Sequence, residues 1–169
     1  MDASAEEPAD VLAATIQTEP DVRRAAYVAV DDDLIAEIER RLEAQRPAIE
    51  AFFAGPLAER EGPSVLRYRD GGFYRRHRDR GVVESWPDAA RRQIAVVVFL
   101  NSSGAGAGGF QGGTLDLFFD DAPVVVEPEA GLLVAFAADV PHEVTLVRGG
   151  VRDTVVDWFY GEEPGVGIA

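Results

Sequence analysis

The residues Gln93-Ile-Ala-Val-Val-Val-Phe-Leu100 decide the fold class of this chain. From Ile94 onward the run is apolar and rich in β-branched side chains, which pack well on a pleated sheet. A strand with one face in water alternates apolar and polar residues, and this run does not. It therefore predicts a central strand that is covered on both faces.

Other short β-rich runs surround this strand in the sequence, with Gly and Pro residues between them. They are Ser64–Arg69, Thr114–Phe118, Pro123–Val126, Leu132–Phe136, Glu143–Val147 and Arg152–Tyr160. Closely spaced strands without helical patterns between them favour an antiparallel sandwich or jelly roll over a parallel α/β sheet. We therefore expect a mainly β fold.

The N-terminal third of the chain predicts helices instead. Residues 31–33 are aspartates, which are good N-cap residues, and the apolar residues that follow them recur at helical spacing. Pro47 opens a second short helix that ends at Gly55-Pro56. We expect N-terminal helices as a cover over about residues 31–60, a β core over about 62–160, and a partly disordered or weakly structured segment at 1–20.

Length and charge narrow the function classes. The chain has 169 residues, which fits a single domain over residues 21–169, and it contains no cysteine, which excludes disulfides and thiolate metal sites. Its net charge of −14 repels nucleic acids and anionic lipids. No apolar run is long enough to span a membrane, and residues 1–10 are acidic. We expect a cytoplasmic protein with neither nucleic acid nor membrane as a partner.

The two histidines stand in settings that favour a metal site. In extended backbone, residues i and i+2 share a face, so His77 and Asp79 can reach one ion. His142 follows an apolar strand and a turn, and a jelly roll can bring it to the same point. Two histidines and one carboxylate are the ligand set of non-haem Fe(II) oxygenases, whereas hydrolytic zinc prefers a tetrahedral site. The alternative is that His142 is an ordinary core or surface histidine.

Arg152 in the last predicted strand is a candidate anion-binding residue. Asp153 and Asp157 have the opposite strand parity, so Arg152 points into the barrel if both aspartates face water. A buried guanidinium needs an anion, because leaving it unpaired is costly. A dicarboxylate co-substrate would supply that anion, with one end on the metal and the other on Arg152. The alternative is that Arg152 pairs with a nearby aspartate, Asp139, Asp153 or Asp157, or lies at the strand edge.

Several motifs in order along the chain resemble the prolyl 4-hydroxylase-type 2-oxoglutarate and Fe(II)-dependent dioxygenases. The resemblance covers about residues 62–160. Its motifs are Tyr68-Arg-Asp-Gly-Gly-Phe-Tyr-Arg-Arg-His-Arg-Asp79, Phe99-Leu-Asn101, Gly112-Gly-Thr-Leu115 and Pro141-His-Glu-Val144, followed by Arg152 and Trp158-Phe159.

The resemblance implies a double-stranded β-helix core and a set of site residues. By analogy with the family, the iron ligands are His77, Asp79 and His142, and Arg152 binds the distal carboxylate of 2-oxoglutarate. At the position of Tyr68, members of the family often have a hydroxyl group near the 2-oxoglutarate carboxylate that is closer to the iron. Tyr74 lines the site. Phe99 stands where some members carry a tyrosine that assists the arginine, so this hydroxyl is missing here. The implied cofactors are Fe(II), 2-oxoglutarate and O₂, and ascorbate dependence is a family expectation.

The implied reaction is hydroxylation of an unactivated C–H bond, with conversion of 2-oxoglutarate and O₂ to succinate and CO₂. A prolyl residue in a protein or peptide is the favoured target, ahead of a free amino acid or other small molecule. The alternatives are a cupin-like metal enzyme that does not use 2-oxoglutarate and a non-catalytic module that binds it.

Six arginines lie between Arg67 and Arg80 in an otherwise acidic chain. This cluster favours an anionic substrate or an acidic peptide. The alternative is a solvated rim that nearby carboxylates neutralise.

Overall fold

A computed structural model describes residues 6–9, 19–82, 86–105, 109–120 and 122–161. Its helices are α1 (Asp32–Glu43), α2 (Arg46–Phe53) and a short 3₁₀ helix (Pro87–Ala90). Its strands are β1 (Glu6–Pro8), β2 (Arg23–Arg24), β3 (Ala26–Val28), β4 (Leu57–Arg60), β5 (Ser64–Arg69), β6 (Phe73–His77), β7 (Arg92–Phe99), β8 (Leu115–Leu117), β9 (Val124–Val126), β10 (Leu133–Ala137), β11 (His142–Val144) and β12 (Val151–Gly161).

The strands form two antiparallel sheets that enclose the interior of a jelly roll. The major sheet has the order β1-β3-β5-β12-β7-β10, and β4 pairs with the far end of β12 beyond β5. The minor sheet has the order β2-β6-β11-β8-β9. A mainly β, jelly-roll fold with N-terminal helices is therefore confirmed.

Strand β7 is central, as its sequence predicts. It lies between β12 and β10 in the major sheet. Ile94 and Val96 pack on the side of the helices, in a cluster that includes Leu42 of α1 and Ile49 of α2. The alternate residues, Ala95, Val97 and Phe99, pack in a second cluster between the two sheets.

The two helices begin and end at sequence signals. The side chain of Asp31 accepts a hydrogen bond of 2.8 Å from the backbone N–H of Leu34, which caps α1. Pro47 lies in the first turn of α2, and Ala54 ends this helix in the left-handed conformation at φ 54°. The helices thus cover the outer face of the major sheet and leave the space between the sheets for the site.

Several strands were not predicted from the sequence. Residues 57–60 were expected to belong to the helical cover, but they form β4 because the long strand β12 offers them a pairing edge. Strand β6 was also missed, since most of its residues are charged or polar. Within the segment 1–20, residues 6–8 pair with β3. Residues 1–5 and 10–18 lie outside the described residues.

Among the helices that the structure describes, none combines the length and the apolar composition that crossing a membrane requires.

Asp157 does not face water, in contrast to the expectation from its position in the strand. It has the parity of Asp153, but it is fully buried, because the helices and β4 cover that face of the sheet. Its carboxylate accepts hydrogen bonds from the Arg60 guanidinium and from the backbone N–H groups of Gly62 and Trp158. Burial raises the pKa of Asp157 against the opposing effect of these donors.

We expect Arg60→Ala to lower the free energy of unfolding by about 3–5 kcal/mol, because it leaves the Asp157 carboxylate buried without a cation. The loss becomes smaller as the pH falls, since protonation of Asp157 removes its charge. Urea unfolding followed by tryptophan fluorescence measures the change. The control is Arg40→Ala, which breaks an exposed ion pair with Glu37 and is expected to have little effect. Equal losses in both variants would contradict this interpretation.

Candidate active site

A bulge in β6 aims two of its side chains into the space between the sheets. His142 pairs with His77 and Val144 pairs with Tyr74, so three residue steps on β6 oppose two on β11. The extra residue lets both Tyr74 and His77 point inward, where their rings stack at 3.5 Å between centroids. Arg75 and Arg76 between them are exposed.

The structure brings the three predicted metal-binding side chains together. Their ligand atoms all lie within 4.8 Å of one another. Nε2 of His77 is 3.4 Å from Oδ1 of Asp79, and Nε2 of His142 is 3.5 Å from Oδ2. Asp79 lies just beyond the end of β6, where its backbone N–H donates to the carbonyl of Ala138. A turn of the chain, and not strand alternation, thus brings Asp79 to the histidines.

Backbone carbonyls hold both imidazoles in a metal-binding orientation. Nδ1 of His77 lies 2.8 Å from the carbonyl oxygen of Arg75, and Nδ1 of His142 lies 2.9 Å from that of Val140. Since a carbonyl only accepts, Nδ1 carries the proton and donates it in both rings. In the neutral ring, this arrangement leaves Nε2 with a lone pair on the side of Asp79.

The protonation states also suit a metal ion. Withdrawal of the His77 imidazole from water lowers its pKa, which favours the neutral ring that a metal requires. Burial by itself would raise the pKa of Asp79, but the two imidazoles and the Trp158 N–H outweigh it and hold this pKa below its ordinary value. A ligand set of two imidazoles and one carboxylate fits a divalent ion such as Fe(II).

Arg152 points into the same cavity that the two histidines and Asp79 line. It is 1% exposed, and its Nε donates to the carbonyl of Gly113 at 2.7 Å. Within the part of the chain that the structure describes, its Nη2 is buried without a hydrogen-bond partner, and no carboxylate forms an ion pair with it. Burial lowers its pKa to about 10. The alternative that Arg152 pairs with an aspartate is therefore wrong.

Aromatic side chains surround this guanidinium. The ring centroids of Tyr68 and Phe99 each lie 5.0 Å from its central carbon. Tyr68 belongs to β5 and Phe99 to β7, the two strands that flank β12. Tyr68 is buried and lines the cavity, as does Tyr74. The phenyl ring of Phe99 supplies packing but no hydrogen-bond donor. A carboxylate that reaches Arg152 would meet its unpartnered Nη2 group, the buried Thr154 hydroxyl and these aromatic rings.

A second buried arginine was missed in the sequence analysis. Arg92 is 2% exposed, and Glu61 binds its guanidinium with two carboxylate oxygens. The indole rings of Trp86 and Trp158 lie over it at 4.5 and 3.8 Å. Trp158 in turn donates its indole N–H to Oδ2 of Asp79 at 2.9 Å. This network fixes the orientation of Asp79, and no sequence signal showed that these distant residues meet.

We expect Trp158→Phe to weaken the binding of a divalent metal by about 10- to 100-fold, because the Asp79 carboxylate loses the donor that orients it. Trp86→Phe is the matched control, since Trp86 contacts Arg92 but donates no hydrogen bond to Asp79. Titration with Mn(II), followed by electron paramagnetic resonance, measures the affinity. Equal affinities of the two variants would show that the indole N–H of Trp158 has no such role.

A jelly roll that holds two imidazoles and one carboxylate beside a buried arginine defines the class of non-haem iron oxygenases. The sequence comparison gives the family. Residues 63–160 match the model of the 2OG-Fe(II) oxygenase superfamily, and the chain belongs to this superfamily. No curated protein matches the sequence significantly.

Solved prolyl hydroxylases share the fold. The prolyl-4-hydroxylase of Pseudomonas putida is 31% identical, with a TM-score of 0.65 over 85% of this chain and 75% of that one. A prolyl hydroxylase of Trichoplax adhaerens, in complex with a hypoxia inducible factor oxygen degradation domain peptide fragment, is 18% identical, with a TM-score of 0.69 over 93% and 71%. A viral collagen prolyl hydroxylase of Paramecium Bursaria Chlorella virus-1, in a 2OG complex, is 16% identical, with a TM-score of 0.57 over 81% and 77%.

The predicted family is thus confirmed. The chain is a prolyl 4-hydroxylase-type 2-oxoglutarate/Fe(II)-dependent dioxygenase, and the family implies Fe(II), 2-oxoglutarate and O₂ as its cofactor and co-substrates.

Proposed function

We propose that this dioxygenase hydroxylates a prolyl residue in a protein or peptide. One observation carries the proposal: the metal-binding side chains and the orphan N–H of Arg152 face one cavity between the sheets. A metal and a carboxylate can therefore be bound at the two ends of a single small molecule. The similarity to prolyl hydroxylases, one of them in complex with a peptide fragment, supports a prolyl residue as the target.

Each site residue has a role in this proposal. His77, Asp79 and His142 hold Fe(II) through two Nε2 atoms and a carboxylate oxygen. Arg152 pairs with the distal carboxylate of 2-oxoglutarate. The Tyr68 hydroxyl lies near the carboxylate that is closer to the iron. Tyr74 supports the His77 ring by stacking on it.

When bound, Fe(II) supplies the oxidation, in which O₂ and 2-oxoglutarate give succinate, CO₂ and the hydroxylated product. The chain contributes binding and orientation. The buried side chains of Tyr68 and Leu115 line the cavity and limit the access of water to the co-substrate. Trp158 and Arg92 keep Asp79 from rotating, so the carboxylate presents one orientation to the metal.

Two finer features belong to the same proposal. We place the protein in the cytoplasm, on the basis of its composition. Ascorbate acts as a reductant that maintains the enzyme, as the family resemblance implies.

Anaerobic addition of Fe(II) and 2-oxoglutarate tests the proposed binding roles. We expect a visible charge-transfer band, which arises when a 2-oxo acid chelates ferrous iron. A screen of proline-containing peptides, free amino acids and other small molecules, with succinate as the readout, then tests the substrate. A metal enzyme that does not use 2-oxoglutarate would give no band, and a non-catalytic module would give the band but no succinate with any substrate.

A further inference from the structure

The arginines of this protein fall into two groups that differ in their partners. All sixteen basic residues are arginines. Within the part of the chain that the structure describes, half of them form ion pairs with carboxylates. These are Arg40, Arg41, Arg46, Arg60, Arg67, Arg69, Arg91 and Arg92. The sequence cluster 67–80 is thus divided, because Glu6 and Asp153 neutralise its first two arginines.

Five exposed arginines lie along β2, β6 and the segment that follows β6. We call them the arginine patch: Arg24, Arg75, Arg76, Arg78 and Arg80. Among the described residues, no carboxylate forms an ion pair with any of them. Acidic residues outnumber basic ones by 30 to 16, so carboxylates are plentiful elsewhere on this chain. Within the described ranges, the charge of the patch is therefore not balanced by ion pairs.

The contacts of the patch orient its guanidinium groups without neutralising them. Arg75 donates to the carbonyl of Asp21, Arg78 to that of Asp139 and Arg80 to that of Ala90. A guanidinium has five N–H donors, so each of these arginines keeps donors for a ligand.

Phenylalanine rings complete the surface. Arg24 and Arg75 lie over the ring of Phe73 at 5.5 and 5.3 Å, and Arg76 lies over the ring of Phe118 at 3.8 Å. Stacking on aromatic rings holds a guanidinium plane in a fixed orientation, which favours bidentate binding of a carboxylate. The bulge in β6 adds to this arrangement, because it turns two consecutive arginines outward.

Along the chain, the patch adjoins the proposed iron ligands. In the sequence Arg75-Arg-His-Arg-Asp-Arg80, each of the two metal-binding candidates has an arginine on both sides. Consecutive Cα atoms are about 3.8 Å apart, so the backbone of these arginines lies close to the proposed ligands. In a protein with a net charge of −14, such a local positive field attracts anions and guides them to the site.

We infer that the arginine patch binds an acidic segment of the peptide or protein substrate, next to the residue that is hydroxylated. This inference rests on the proposed function and specifies its substrate class: a target residue flanked by Asp or Glu. The strongly acidic remainder of the protein disfavours long polyanions such as nucleic acids, because they would extend beyond the patch and meet repulsion.

Three peptides that share one proline-containing centre test the inference. Their flanking residues are acidic in the first, neutral in the second and basic in the third. Fluorescence anisotropy of labelled peptides measures binding to the protein with Mn(II) and 2-oxoglutarate, so the readout does not need turnover. We expect the acidic peptide to bind roughly tenfold more tightly than the basic one at low salt, and the difference to shrink as salt screens it.

Arg75→Glu/Arg76→Glu is the test variant, and Arg75→Gln/Arg76→Gln removes the charge without reversing it. We expect the first to abolish or reverse the preference and the second to reduce it, while binding of the neutral peptide changes little. Arg148→Glu is the matched control, because Arg148 is also exposed and lies outside the patch. Circular dichroism checks that all variants fold.

The outcomes separate this inference from the proposed function. An acidic peptide that binds preferentially but is never hydroxylated would contradict the proposed function and leave the patch established. Equal binding of all three peptides would overturn the inference but not the proposed function. The inference would also be overturned if Arg148→Glu reduced the preference for the acidic peptide as much as Arg75→Glu/Arg76→Glu does. Displacement of the acidic peptide by an oligonucleotide at equal or lower concentration would assign the patch to nucleic acid and overturn it as well.

Discussion

The His142→Ala variant is expected to lose Fe(II) binding and all succinate formation. His142 supplies one of only three ligand atoms in the proposed site, and its Nδ1 is already engaged by the carbonyl of Val140. The loss in metal affinity should exceed the roughly 10- to 100-fold that removal of an outer hydrogen-bond partner causes. Anaerobic calorimetric titration with Fe(II) measures the affinity directly, and the charge-transfer band with 2-oxoglutarate should disappear with it.

A matched control for this variant is available on the same strand. Glu143→Gln changes the next residue of β11, whose side chain points to the opposite face of the sheet. It removes a charge but no proposed ligand, and we expect Fe(II) affinity to stay near that of the unmodified protein. If His142→Ala binds Fe(II) as tightly as Glu143→Gln does, the assignment of this histidine to the metal is wrong.

The sequence predicted the residues of the site better than the way in which they meet. His77 and Asp79 were expected to share a strand face, but Asp79 lies beyond the strand and is held by the carbonyl of Ala138. The inward direction of His77 depends on a bulge, and a bulge depends on the register with β11. Register is a property of the partner strand, so the local sequence of β6 does not contain it.

Strand β12 is covered on both faces, so the alternation of its residues does not tell which face is exposed to water. Arg152 points inward as predicted. The prediction took Asp157 to face water, but Asp157 is buried. Parity correctly separated the two faces, but both faces of this strand are covered, one by β4 and the helices and the other by the minor sheet. The sequence could not show that Arg60 would reach Asp157 from 97 residues away.

Apolar patterns, in contrast, predicted the centre of the fold well. The run at β7 and the strand at β5 lie where the sequence places them, because each packs its side chains in the core and local propensity agrees with burial. The short strands β2 and β3 were missed. Each has two or three residues, too few for a period of two to be visible, and they exist because β6 and β5 offer them edges.

The Arg152→Leu variant is expected to separate co-substrate binding from stability. The Arg152 guanidinium is buried, and its Nη2 has no partner among the described residues. Removing it relieves an uncompensated desolvation cost and gives up the bond to the carbonyl of Gly113. We therefore expect the free energy of unfolding to stay within about 1 kcal/mol of the original value or to rise.

The affinity for 2-oxoglutarate should respond in the opposite way. Loss of one partner of a buried charge pair costs about 2–5 kcal/mol, which corresponds to an increase in the dissociation constant of roughly 30- to 4000-fold. Titration of the charge-transfer band measures it, while Fe(II) affinity should be unchanged because Arg152 contacts none of the proposed ligands. Arg148→Leu removes an exposed arginine and should alter neither quantity. If Arg152→Leu lowers stability strongly but leaves 2-oxoglutarate binding intact, the buried guanidinium is a structural element, and the co-substrate carboxylate must be bound elsewhere.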